Sequence, residues 1–280
     1  MQDLDECMDR LMGKLPIEPN SMLAHIHIPK TAGVAVQSVL KAEFSPNLHL
    51  AWDKAREEWK QANSKAPYDG KFLTGHLEFS GLFYPGLPRP RPIYCIAVIR
   101  EPLKRVVSLY NYNRSNMHPR HASFAEKFAS LDDYVLTFTG AKRAANRQVR
   151  WLCGRVNDRD LLMARLNKHY IGVATQDRTD WYLSRVVSAV KQEDRTIEVP
   201  VVNTLKRVEH GTVVTEADIS PVVLEKFRNA NQLDLELYDT IMEQQEKLGA
   251  YPNTPRAAQP PTLQDKAKYH LRRVINSLRS

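Results

Sequence analysis

The first clear hydrophobic pattern lies at residues 23 to 28, LAHIHI, where apolar and polar positions alternate with the period of a strand. That run meets Pro29-Lys30-Thr31-Ala32-Gly33 directly. VAVQSVLKAEF then places Val36, Val39, Leu40 and Phe44 at helical spacing. The order predicted is strand, tight loop, helix. KFLTG predicts a second strand ending at Gly75-His76, and the polar stretch from Ala51 to Gly70 before it reads as a helix followed by a loop around Pro67. The segment PGLPRPRP, residues 85–92, cannot continue a central strand because proline lacks the N–H, so it reads as a connection. Residues 93–99, IYCIAVI, are apolar without alternation, as in a strand buried on both faces of a parallel sheet. Glu101-Pro102 then opens a helix, with proline at a favoured early position.

Beyond that point the pattern predicts helices over 123–138, 145–153 and 158–169, and a short strand at YIGVA, residues 170–174. VPVVN, residues 199–203, reads as a last strand or extended segment. Two helical stretches, 215–230 and 231–249, precede the loop AYPNTPRAAQPP. Residues 262–280 read as a basic helix carrying Lys266, Lys268, Arg272, Arg273 and Arg279. No internal repeat is visible. Strands alternating with helices predict an α/β fold with a mostly parallel sheet flanked by helices. The expected boundaries are an N-terminal extension over 1–21, the main domain over 22–250, and a linker with the basic C-terminal helix over 251–280.

Composition narrows this picture in a few places. The 280 residues, 42% of them hydrophobic, can supply a sizeable core, which argues against wholesale disorder. Lys and Arg outnumber Asp and Glu by 40 to 32, a net charge of +8 that suits an anionic ligand, nucleic acid or an acidic surface. The basic residues are scattered and form no recognition motif, so no nucleic-acid partner is expected. Cys7, Cys95 and Cys153 are odd in number and far apart, which reads as reduced thiols, and no His, Cys or carboxylate spacing suggests a metal. The first twenty residues are acidic and lack the layout of a signal peptide, and no apolar run approaches the ~18 residues of a membrane span. The expectation is a cytoplasmic protein with no transmembrane segment.

A loop between a buried strand and a helix presents unpaired N–H groups and the positive end of the helix dipole, which together bind phosphate. PKTAGV supplies those parts: Gly33 permits close backbone approach, Thr31 adds a hydroxyl, and Lys30 is a mobile positive charge. Arg100, at the carboxyl end of the strand 93–99, lies where open α/β sheets bind ligands, and its guanidinium fork suits phosphate. In the next helix Leu103, Val106, Val107 and Tyr110 form one apolar stripe, leaving Ser108 on the opposite face. TGHLEF offers His76 after a strand end, a residue type whose unperturbed pKa suits a base at neutral pH, and Glu78 as an alternative. His25 and His27 share a face of the first strand and read as core histidines before ligands.

HIPKTAGV, residues 27–34, resembles the 5'-phosphosulfate loop of the sulfotransferase superfamily. The likeness is to the branch that includes the heparan sulfate 2-O- and 6-O-sulfotransferases and many bacterial carbohydrate sulfotransferases. CIAVIREPLKRVVSLYNYNRS resembles its 3'-phosphate motif, with Arg100 and Ser108 as the matching residues. NRQVRWLCG at 146–154, YIGVATQDRTDWYLSRV at 170–186 and NQLDLELYDTIME at 231–243 resemble later segments, so the likeness spans about residues 22 to 245.

The resemblance implies a P-loop NTPase-like sulfotransferase fold and sulfuryl transfer from 3'-phosphoadenosine 5'-phosphosulfate (PAPS) to an acceptor hydroxyl, on a neutral or anionic sugar, leaving 3'-phosphoadenosine 5'-phosphate (PAP). It implies that Lys30 contacts the bridging oxygen, that Thr31, Ala32, Gly33 and Val34 hold the 5'-phosphate, and that His76 is the base. The branch often has Thr or Ser where this chain has Val34, so one hydroxyl contact is missing. Residues 80–92 and 114–123 are expected to shape the acceptor pocket, with Arg114, His118, Arg120 and His121 as contacts. The competing enzyme class is a small-molecule or sugar kinase using ATP. Neither GxxxxGK[ST] nor an acidic strand-end motif for Mg²⁺ supports it.

Overall fold

A computed structural model describes residues 4–18, 21–44, 48–51, 72–83, 92–115, 118, 120–128, 130–140, 145–156, 158–200 and 212–248. Its strands are β1 (Met22–Ile26), β2 (Leu48–Ala51), β3 (Phe72–Gly75), β4 (Ile93–Ile99) and β5 (Tyr170–Thr175). They form one sheet in the order β2-β3-β1-β4-β5, and every ladder is parallel. This is the α/β architecture that the alternating pattern predicts. All seven residues of β4 are buried, which is why its sequence shows no alternation: helices cover both faces.

The helices are α1 (Asp5–Leu11), α2 (Gly33–Phe44), α3 (Phe79–Leu82), α4 (Pro102–Asn113), α5 (His121–Lys127), α6 (Leu131–Gly140), α7 (Arg147–Cys153), α8 (Arg159–His169), α9 (Thr179–Lys191), α10 (Pro221–Ala230) and α11 (Gln232–Lys247). One core packs on the sheet. A second cluster joins α4, α6 and α10 through Leu103, Val106, Tyr110, Tyr134, Val135, Val223 and Phe227. The segment before residue 22 is part of the first core: Leu4, Cys7, Met8 and Leu11 are buried, and α1 packs on β5, α8 and α9. Cys7, Cys95 and Cys153 are buried and free, and burial pushes their pKa values up, that of Cys7 to about 12.

Several elements differ from the sequence pattern, each for a local reason. The helix expected over 123–138 is two helices, because Ser130 caps a new one: its Oγ accepts from Asp133 N at 3.1 Å. The helix expected from 215 begins at Pro221, after Thr215 and Asp218 close a short 3₁₀ turn with a reciprocal capping box. Strand β2 is four residues long, too short for its period to show. Val199 and Pro200 lie in no strand, and residues 201–203 fall outside the described residues. The helix and loop expected over 52–70, residues 85–91 of the proline-rich connection and the whole tail from 251 also fall outside them.

Candidate active site

The sheet order sets β1 between β3 and β4, so the chain segments leaving all three strands at their carboxyl ends are neighbours. His27 and Lys30, His76, and Arg100 leave those three ends.

The loop after β1 is folded by its own backbone. Lys30 and Ala32 both have positive φ, 72° and 64°, a conformation that costs a non-glycine residue about 1 kcal/mol or more. Thr31 is buried, and its hydroxyl donates to the Ile28 carbonyl at 2.9 Å, closing the loop on itself. Helix α2 starts at Gly33, and the Val34 side chain on its first turn is exposed. Gly33 is required by a close approach: a Cβ there lies 1.7 Å from His27 Cδ2. Lys30 Nζ stands 4.2 Å from the centre of the Tyr112 ring.

Strand register explains the histidines. Ile26 pairs with Gly75, and His27 N donates to Gly75 O at 2.9 Å, which continues the ladder and sets His27 beside His76. Their rings stack at 4.4 Å and 20°, close to the spacing of neighbouring strands. One pair earlier, His25 faces Thr74, and His25 Nδ1 bonds Thr74 Oγ1 at 2.7 Å. His25 also stacks on His27 at 5.8 Å. His25 and His27 are buried, 1% and 5% exposed, whereas His76 is half-buried and reaches the surface. Burial and the neighbouring imidazoles lower the pKa of His25 well below the usual value, and burial followed by the charge of His76 lowers that of His27 to about 3. The edge of Trp151 on α7 meets the His76 ring at 6.0 Å.

Arg100 is placed from far away in sequence. The Gln148 side chain clamps its backbone from both sides, accepting from Arg100 N at 3.0 Å and donating to Arg100 O at 2.8 Å. Gln148 belongs to the first turn of α7, and Asp234 on α11 caps that helix by accepting from Gln148 N at 3.1 Å and Val149 N at 2.8 Å. Asn146, in the left-handed region, accepts from Asp234 N at 3.0 Å and donates its own N–H to Asn231 Oδ1 at 2.9 Å. The guanidinium of Arg100 reaches back to the Lys30 carbonyl at 3.5 Å. Burial and then the positive charge of Arg100 lower the pKa of Lys30 to about 8. Burial also lowers that of Arg100, offset in part by the carboxylates of Glu216 and Glu101. Two partly desolvated cations on adjacent strand ends make a site whose field favours a polyanion.

No family model and no curated protein matches the chain. Among solved structures it is similar to a mouse sulfotransferase complexed with PAP, at 15% identity over 87% of this chain and 95% of that one, with a TM-score of 0.35.

The remaining sequence-predicted residues sit around this centre. Ser108 is half-buried on α4, where Leu103, Val106, Val107 and Tyr110 are buried as the apolar stripe requires. That stripe does not reveal Arg105, which is also buried and whose charge is compensated first by Asp234. Glu78 precedes α3 with its carboxylate 3.8 Å from the guanidinium of Arg147. Arg114 lies at 5.0 Å over the ring of Tyr110, a residue of the second cluster. Arg120 is exposed at the start of α5, and the His118 ring meets Tyr112 edge-on at 5.6 Å. Sequence reasoning passed over Gln148 and Asp234. The segment NRQVRWLCG carried a signal, but its partner lies 86 residues away.

Proposed function

We propose that this chain is a PAPS-dependent O-sulfotransferase acting on a carbohydrate hydroxyl. The observation that carries the reading is the meeting of Lys30 and Arg100: two segments resembling the two phosphate motifs of one family, 70 residues apart, leave adjacent parallel strands at the same sheet edge. Such a strand-end crevice is where open α/β sheets take ligands. The cations there fit the charge of a nucleotide phosphorylated at both ends.

In this reading Arg100 and Ser108 hold the 3'-phosphate, and the N–H groups from Thr31 to Val34 at the start of α2 hold the 5'-phosphate. The Thr31 hydroxyl re-aims from Ile28 O to contribute. Lys30 stabilises the charge that builds on the bridging oxygen as the sulfur–oxygen bond breaks. His76 takes the acceptor proton as the acceptor oxygen forms its bond to sulfur, since it alone of the three stacked histidines reaches the surface. The Glu78 carboxylate is engaged by Arg147, which favours the imidazole as base. Glu78, Arg114 and Arg120 are candidate acceptor contacts.

The test is nucleotide discrimination by thermal shift, because a ligand that binds only the folded state stabilises it by RT ln(1 + [L]/Kd). PAP should raise the melting temperature far more than ADP or ATP. Equal shifts with all three, or a shift from ATP alone, would move the assignment to a kinase.

A further inference from the structure

The histidine stack has an order that the proposed chemistry does not by itself require. His27 meets two constraints: its ring packs on the first residue of α2, where only glycine fits, and it stacks on His76 at 4.4 Å as well as on His25 at 5.8 Å. The phosphate loop and the residue after β3 therefore share one ring.

We infer that His27 is a positioning residue for the base: held by strand register against both Gly33 and His76, it fixes the orientation of the His76 imidazole and gives it an electron-rich face to stack on. The inference rests on the reading of His76 as the base of a sulfuryl transfer.

Three observations support it. The contact is face to face, at 4.4 Å and 20° between planes, so the ring N–H bonds of one histidine do not point at the nitrogens of the other. A proton relay through His27 is thereby excluded, and packing is what remains. Next, His27 Nδ1 is buried and has no hydrogen-bond partner among the described residues. Burying an unpaired polar atom is unfavourable, and a phenyl ring of similar shape avoids that cost, so hydrogen bonding at Nδ1 does not explain a histidine here. Finally, His27 stays neutral at any ordinary pH, because burial and the charge of His76 hold its pKa at about 3. A neutral aromatic face favours a cation stacked on it, whereas a protonated one opposes it. When His76 takes the acceptor proton, the resulting imidazolium lies against that face. Trp151 approaches the same ring edge-on and restricts its rotation from another side.

Among the described residues, the titratable and charged groups on the elements meeting at His76 include His25 and His27 from β1 and its loop, Lys30 further along that loop, Cys95 on β4 and Arg100 at its end, Glu78 before α3, and Arg147, Arg150 and Cys153 on α7. The experiment leaves all of these except His27 in place, so a shift in the pH profile is assignable to that ring.

His27→Ala, His27→Phe and His27→Leu are compared in kcat at saturating acceptor, in the pH dependence of kcat, and in the melting shift given by PAP. His27→Ala should lower kcat about 10- to 100-fold, the scale of a misplaced catalytic group, with the PAP shift retained. His27→Phe, which keeps the aromatic face, should stay within about threefold of the parent. His27→Leu fills the space without that face, so the ascending limb of its pH profile, where His76 loses its proton, should lie about 0.4 to 0.7 units below that of His27→Phe, the scale of one cation–π contact. The Leu and Phe variants carry the test even if the alanine variant does not fold. Parental kcat in His27→Ala, superimposed pH limbs for Leu and Phe, or loss of the PAP shift in step with kcat would each overturn the assignment. The last would make His27 a scaffold of the phosphate loop. His76→Ala is the separate control: if it keeps turnover, the base reading fails whatever His27 does.

Discussion

The loop after β1 and the end of β4 supply one cation each to the same crevice, yet they are built in opposite ways. The loop holds itself: positive φ at Lys30 and Ala32 turns the chain, Thr31 bonds a residue three positions back, and Gly33 admits the ring of a residue six positions back. Arg100 is held by Gln148, 48 residues on, and Gln148 in turn by Asp234, a further 86 residues on. A self-folded loop can be recognised as a motif in sequence. A strand end positioned by a relay of buried amides cannot, because each contact joins residues that only the folded chain brings together.

This contrast makes the relay the more fragile of the two in stability. Asp234→Ala should give the largest effect: it removes the cap of α7 and the carboxylate that most offsets the buried Arg105 guanidinium, at about 3 to 5 kcal/mol. Chemical denaturation would measure it. A loss below about 1 kcal/mol would show that α7 holds Arg100 without its tertiary cap.

Gln148→Leu is the sharper probe. It leaves the Arg100 N–H and C=O without their amide partners, which should destabilise the protein by about 1 to 3 kcal/mol. It should also weaken PAP more than adenosine 5'-phosphosulfate, which lacks the 3'-phosphate assigned to Arg100. Parallel weakening of both nucleotides in titration calorimetry would mean that the clamp supports the whole sheet end and not the 3'-phosphate site.

The smallest effect expected belongs to the loop, and it is a matter of pH. The folded-state pKa of Lys30 is lowered from 10.5 to about 8, so between those values the unfolded chain binds more protons than the folded one. Stability from this group therefore rises with pH across that window and is lowest below about 8. A bound phosphate favours the ammonium, so PAP binding should take up about half a proton at pH 8, and affinity should decline as pH rises further. Calorimetry in buffers of different ionisation enthalpy reads this directly. No proton uptake, with Lys30→Met binding PAP as before, would remove Lys30 from the nucleotide site.

Much of the molecule was legible in the chain. Alternation marked β1, an unbroken apolar run marked β4, short apolar runs marked β3 and β5, and period 3.6 marked most helices, since burial on one face or two leaves its trace in residue order. Capping chemistry also lay in plain view at Glu101-Pro102, at Ser130, where a local hydrogen bond starts a second helix, and at Thr215, where a capping box closes a 3₁₀ turn ahead of the helix. The tertiary structure alone decided which strand ends are neighbours. Parallel pairing in the order β2-β3-β1-β4-β5 is set by crossovers, and residue order does not encode their destination. From that order follow the stacking of His27 on His76, the approach of Arg100 to Lys30, and the reach of Asp234 to the start of α7. The residue types for the proposed chemistry are local properties of the sequence. Their mutual distances are properties of the fold.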